Sequence, residues 1–283
     1  MLQYVPLLIF KARSYGVKII RKTRDRLVAP EIYPTPESLN NATIEDTWNS
    51  IQSCYLARQK KDVLKDLPAK LTSIVKNEIE KLPNLPADFG IGDVTRLKHA
   101  LAIAKSESTC EFIQELIEGS DEKILVFTDS VQAAEAIASH FGPLALLHHG
   151  QLSDERREYV KARFQTPDSE EKIFVTTTAS CGVGATLTAA SRVVFNDLPW
   201  TAAGVRQAED RAHRVGQLKC VNVYWMVAEN NAFDAAIAST VKRKYELCKL
   251  LNEGKQLSLE DREWMDKPVS MFDLLQAIKK RAS

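Results

Sequence analysis

Lys123-Ile124-Leu125-Val126-Phe127-Thr128-Asp129-Ser130, then Val131 to Phe141 and the pair Gly142-Pro143, is the stretch that decides the fold. Its first part is a short continuous apolar run ending in polar residues; its second is alanine-rich and of helical length, and glycine-proline stops it. An apolar run that does not alternate reads as a strand buried on both faces, and a helix directly after it reads as a parallel crossover. The pattern then repeats. Leu144 to Leu147 predicts a second strand, Ser153 opens a charged helix ending near Phe164, and Ile173-Phe174-Val175 predicts a third strand. Val193-Val194-Phe195 and Val221 to Val227 predict a fourth and a fifth. The alternation implies an α/β fold, a parallel sheet sandwiched by helices, with ligands gathered beyond the carboxyl ends of the strands.

Those ends are Thr128-Asp129-Ser130, His148-His149-Gly150-Gln151, Thr176-Thr177-Thr178-Ala179-Ser180 and Asn196-Asp197-Leu198-Pro199-Trp200. Hydroxyls and backbone amides at helix amino-termini bind phosphate oxygens without reading bases, which suits a track for a nucleic-acid backbone. Ser130 and Ser153 fit ordinary helix caps equally well. Trp200, after a proline, also fits a plug at the sheet edge. His148 and His149 share no cysteine or carboxylate at a ligand spacing, so they read as packing or loop residues and no metal site is expected. Gly182-Val183-Gly184 follows the third strand, where missing side chains permit close backbone approach.

Between the last two strands lies Arg206-Gln207-Ala208-Glu209-Asp210-Arg211-Ala212-His213-Arg214-Val215-Gly216-Gln217. Spacings of four and three predict Gln207, Arg211 and Arg214 on one helical face. Two guanidinium forks aimed the same way suit a polyphosphate. The same spacings allow a purely local reading, with Asp210 pairing Arg214 and Gln207 bonding Arg211.

A chain of 283 residues can bury one substantial core with a smaller attached piece, but hardly two full nucleotide-binding lobes. Net charge of +1 argues against a histone-like binder, although Lys11, Arg13, Lys18, Arg21, Lys22, Arg24 and Arg26 crowd one short segment. Cys54, Cys110, Cys181, Cys220 and Cys248 show no paired spacing and read as reduced thiols of a cytosolic or nuclear protein. Met1 to Phe10 is apolar but interrupted by Pro6 and too short to span a bilayer, so no membrane partner is expected. Before residue 120 the pattern is helical: Thr43-x-x-Asp46 opens one helix, Val94, Leu97, Leu101 and Ala104 mark a second, and Phe112, Ile113, Leu116 and Ile117 a third. Phe233 to Leu251 and Ser258 to Ala282 predict two further helices.

From about Tyr55 to Lys249 the chain resembles the second RecA-like lobe of the Swi/Snf family of ATP-dependent DNA translocases, within helicase superfamily two. Gln207 to Gln217 is similar to that family's last helicase motif, with Gln217 where RNA helicases of the superfamily carry glycine-arginine. Lys123 to Asp129 looks like its fourth motif, His149-Gly150-Gln151 with Arg156 the segment after it, and Thr176 to Ala190 with the Asp197-to-Trp200 turn its fifth. Leu56 to Lys70 is similar to the connector between lobes. The family's leucine-asparagine is Ala185-Thr186 here, its asparagine-proline after Trp200 is Thr201-Ala202, and its connector arginine pair is Arg58-Gln59. The Gln-Ala-Glu-Asp-Arg version with this fifth motif leans toward the annealing-helicase or fork-remodelling branch.

The resemblance implies a division into residues 1–54 (trailing part of the first lobe or an extension), 55–119 (connector and helices), 120–251 (RecA-like lobe) and 252–283 (helical tail). It implies ATP and Mg2+ held mainly by a first lobe, because no G-x-x-x-x-G-K-[ST] occurs here. Arg211 and Arg214 would act as catalytic arginine fingers, and Gln207, Gly182 and Gly184 would meet nucleotide. Thr128, Ser130, Gly150, Thr177, Thr178 and Trp200 would grip double-stranded DNA. The implied partners are duplex DNA and a Walker-motif lobe in cis or in trans, the chain being a fragment or one part of a split gene and no ATPase alone. The alternative is a non-catalytic DNA- or protein-binding module that keeps the lobe fold.

Overall fold

The computed structural model describes residues 64, 66–79, 93–181 and 185–252, which belong to one compact unit. Along them run strand β1 (Lys70–Asn77), helix α1 (Val94–Gly119), β2 (Lys123–Thr128), α2 (Val131–Phe141), β3 (Ala145–His148), α3 (Asp154–Gln165), β4 (Ile173–Thr177), β5 (Ala190–Phe195), α4 (Ala202–Ala212), β6 (Val221–Ala228) and α5 (Ala232–Asn252). The six strands form one sheet in the order β1-β6-β5-β2-β4-β3, and every pairing is parallel.

All six residues of β2 are buried, as a sheet covered on both faces requires. Successive side chains alternate between the faces. Ile124, Val126, Ile173, Val175, Val194 and Met226 pack with Cys110 and Ile113 of α1 and Ala134, Ile137 and Phe141 of α2. Leu125, Phe127, Phe174, Val193, Phe195, Val223 and Trp225 pack with Val160 of α3, Val205 and Ala208 of α4, and Ile237 and Val241 of α5. Helices α2, α3 and α4 start on side-chain caps: Ser130 accepts from the Ala133 amide, Ser153 from Arg156 and Thr201 from Gly204. Thr201, which departs from the family's asparagine, therefore has a local task of its own.

Four features differ from the expectations. The sheet begins at Lys70, not Lys123; β1 lies at the edge beside β6 and is largely exposed, so it lacks the continuous apolar run of the central strands. The helices expected around Leu97 and Ile113 are one helix of 26 residues, whose polar middle is buried: Lys105 bonds Asp234 and Ser106 donates to the Ala102 carbonyl. Leu144 belongs to a short 3-10 turn, Gly142–Leu144, so β3 starts one residue later. Finally, α4 ends at Ala212, and Arg214 is not on it. The segments expected at Thr43 and Ser258, and the basic run from Lys11 to Arg26, lie outside the described residues.

Candidate functional site

Strand pairing aligns the polar ends at one rim of the sheet. Thr128 stands opposite Thr177, and His148 opposite Thr176. The loops there are interlocked: the Thr178 amide donates to the Thr128 carbonyl at 2.9 Å, and the Asn196 amide to Phe127 at 2.9 Å. Asn196 also donates to the Ala102 carbonyl and accepts from Thr109, which fixes the β5 end to α1. Asp197 accepts the Thr128 hydroxyl at 2.5 Å and the Asp129 amide at 3.1 Å. Burial works against the Asp197 charge, yet Lys98, Lys105 and the Thr128 hydroxyl hold its pKa below the usual carboxylate value.

The expected DNA contacts divide on this geometry. Gly150 and Trp200 are exposed and Thr178 is half-buried. Thr128 is fully buried with its hydroxyl committed to Asp197, Ser130 is buried as a cap, and Thr177 is buried with its hydroxyl against Ser180. Those three side chains build the rim and do not face outward from it.

The arginine motif lies elsewhere. From the carboxyl end of β5, α4 returns the chain across the sheet, and its eleven residues span about 16 Å. The Arg211 carbonyl accepts from Leu187, just before β5 begins. Helical Cα–Cβ bonds lean toward the helix amino-terminus, so the side chain points back over the sheet, where its charge acts on the Cys181 thiol. Burial still pushes that thiol up to about 11. Arg211 is half-buried, and its side chain makes no hydrogen bond or ion pair with another described residue. Gln207, one turn earlier, is exposed and shares its face. The third member departs: after the His213 amide closes on Glu209, the chain leaves the helix and turns through Gly216 at φ 95°, placing Arg214 on that turn. Gly182 and Gly184 lie outside the described residues.

Two residues that the motif spacing left unassigned hold this end together. Gln217 is buried, with its amide nitrogen within hydrogen-bond reach of the Thr188, Ala190 and Ala212 carbonyls and its oxygen accepting from Leu218 and Lys219. Glu209, 0% exposed, accepts from Lys70 at 2.5 Å and from the Tyr245 hydroxyl at 2.7 Å, while His213 donates to the Pro68 carbonyl at 2.8 Å. The start of β1 is thereby clipped to the arginine helix on both sides of Arg211.

A cleft of about 350 Å³ opens between α3 and the end of β4, lined by His148, Asp154, Arg157, Glu158, Lys161 and Ser180. His148 is buried, its Nδ1 lies 3.0 Å from the Thr176 hydroxyl, and burial with the Lys161 and Arg157 charges lowers its pKa to about 4. A histidine kept neutral in the folded state leaves the unfolded chain to take the proton, so stability is present above pH 6.5 and is lost as pH falls toward 4. Chemical unfolding is expected to show a loss of about 2 kcal/mol between pH 6.5 and 5 from this group. His148→Gln is expected to flatten that window; an unchanged slope would assign the loss to other groups.

Residues 105–216 match the helicase conserved C-terminal domain. The chain is 27% identical over 244 residues to the DNA annealing helicase and endonuclease ZRANB3 of Mus musculus, an alignment spanning 78% of this chain and 23% of that protein. It is 32% identical over 204 residues to the SWI/SNF-related matrix-associated actin-dependent regulator of chromatin subfamily A-like protein 1 of Bos taurus, spanning 65% of this chain and 21% of that one. The chain thus spans less than a quarter of the length of these curated relatives. The Sulfolobus solfataricus SWI2/SNF2 ATPase core in complex with dsDNA shares the fold, with a TM-score of 0.52 over 83% of this chain and 56% of that one at 22% identity. With its all-parallel sheet and the ordered motifs along it, the chain carries a RecA-like helicase C-terminal lobe similar to those of Swi/Snf proteins.

Proposed function

We propose that this lobe is one half of an ATP-driven translocase on double-stranded DNA. A Walker-motif lobe, in cis or in trans, holds ATP and Mg2+, and lobe closure brings Arg211 and Arg214 to the γ-phosphate. The observation that carries this reading is Arg211 itself, a half-buried cation with no hydrogen bond or ion pair to another described residue, on a helix end fixed by Gln217, Glu209 and the Leu187 amide. Unspent donors in a fixed position suit charge that develops only in a transition state. When bound, ATP supplies the phosphoryl group; the residues of this chain orient and stabilise it. The carboxyl rim, with Gly150, Thr178 and Trp200, follows the duplex backbone without reading sequence. The expected Mg2+ ligands and phosphate-cradling lysine belong to the other lobe, since no Walker sequence occurs here.

The test is reconstitution. The full chain alone, with ATP, Mg2+ and duplex DNA, is expected to hydrolyse nothing. Adding a Walker-motif first lobe of the same family is expected to produce hydrolysis that DNA stimulates. Hydrolysis by the chain alone, or none after addition, would count against the division of labour and favour a binding module that keeps the lobe fold.

A further inference from the structure

The carboxyl rim is built around a buried cation that no motif marks. Lys98, in the second turn of α1, is 3% exposed, and its ammonium pairs with Asp129 and with Asp197, the latter at 2.9 Å. Asp129 follows β2 and Asp197 follows β5, so one side chain ties two loops of the rim to α1. The same ammonium lies 5.3 Å from the centre of the Trp200 ring. On its other contact, Trp200 meets Phe233 edge-on at 6.3 Å, and the indole remains 36% exposed. The cation therefore holds an aromatic side chain in place while that side chain still faces solvent.

Charge adds a second consequence. Two carboxylates beside a surface that follows phosphates would repel them. Lys98 neutralises one and keeps both engaged inward, and a cation held against an indole away from water attracts it more strongly than at an exposed site. At 3% exposure, Lys98 has no surface with which to meet a phosphate directly.

We infer that Lys98 is a positioning residue of the duplex-binding rim, fixing Trp200 as its aromatic contact. The inference rests on the proposed duplex track and adds the residue on which its geometry depends. It is tested by binding of the full chain to a short fluorescein-labelled blunt DNA duplex at fixed salt. Lys98→Met is expected to weaken binding about tenfold, and Trp200→Ala by a similar factor. Lys98→Arg, whose guanidinium can serve both carboxylates and the indole, is expected to bind within about twofold of the wild type. Lys98→Met/Trp200→Ala is expected to bind no more weakly than Trp200→Ala, because both changes remove one contact. Lys98→Met leaves Asp197 buried without its cation, so Lys98→Met/Asp197→Asn, which removes both charges, is measured beside it with the same loss expected. Wild-type binding by that double variant would show a cluster that serves stability alone, and additive losses at Lys98 and Trp200 would show that Lys98 does not act through the indole; either result overturns the inference with the track intact. Absence of salt-sensitive duplex binding by the wild-type chain would overturn the track, and the inference with it.

Discussion

Arg211→Ala, in the chain reconstituted with a Walker-motif lobe, is expected to lower the rate of DNA-stimulated ATP hydrolysis by about a thousandfold or more. The size follows from where an arginine finger acts: charge spreads over the transferred phosphoryl oxygens in the transition state, and a fixed guanidinium costs no reorganisation to meet it. The structure makes the experiment clean. Arg211 is held by its backbone, through the Leu187 amide, and its side chain supports no described neighbour by hydrogen bond or ion pair. Removing that side chain is therefore expected to leave the melting temperature and duplex binding near wild type, within about 0.5 kcal/mol. Arg211→Lys is expected to lose nearly as much activity, since a point charge cannot reproduce the planar fork. Full hydrolysis in either variant, with the fold intact, would remove Arg211 from the reaction. Arg214 offers a comparison, because it lies on the turn after α4 and not on the helix that carries Arg211.

Much of the lobe is legible in its central strands. Ile124 to Phe127, Ile173 to Val175 and Val193 to Phe195 are apolar without interruption because helices cover both faces, and that continuity alone places them in a parallel sheet. The edge strand is not legible for the converse reason. Lys70-Leu71-Thr72-Ser73 has one neighbour and open faces, so burial imposes no pattern on it. Polar residues in the core mislead in a similar way. Lys98, Lys105 and Glu209 break the apolar periodicity of their helices, yet each is buried with partners from 31 to 139 residues away, and sequence spacing carries no trace of such partners. The candidate site shows the same limit. Spacing places Gln207 and Arg211 on one face correctly, but it continues the helix through Arg214, because Gly216 and the buried amide of Gln217 end it by tertiary contacts. Gln217 separates this motif from the RNA-helicase version in sequence, and the structure supplies a physical reason for a glutamine: three carbonyls surround its nitrogen and two amides its oxygen.

Lys105→Met is expected to destabilise the chain by about 3–5 kcal/mol, a large part of the roughly 5–15 kcal/mol that a domain has to lose. The ammonium of Lys105, 1% exposed, meets both oxygens of Asp234, at 3.0 and 2.8 Å, and the Met226 carbonyl at 3.1 Å. Asp234 also accepts the Ala228 amide at 2.8 Å. One pair therefore joins α1, the carboxyl end of β6 and the first turn of α5. Methionine matches the length of lysine and fills its space, so the cost arises from a carboxylate left buried without its cation and not from a cavity. That assignment has its own check in a double-mutant cycle. Lys105→Met/Asp234→Asn removes both charges while the amide oxygen can still accept from Ala228, so the pair is expected to be more stable than Lys105→Met alone. Denaturant unfolding measures Lys105→Met, Asp234→Asn and the double variant. If the double variant lost the full sum of the single losses, Lys105 and Asp234 would be acting independently. The polar middle of α1 would then be a packing feature, with no electrostatic tie between the two faces of the sheet.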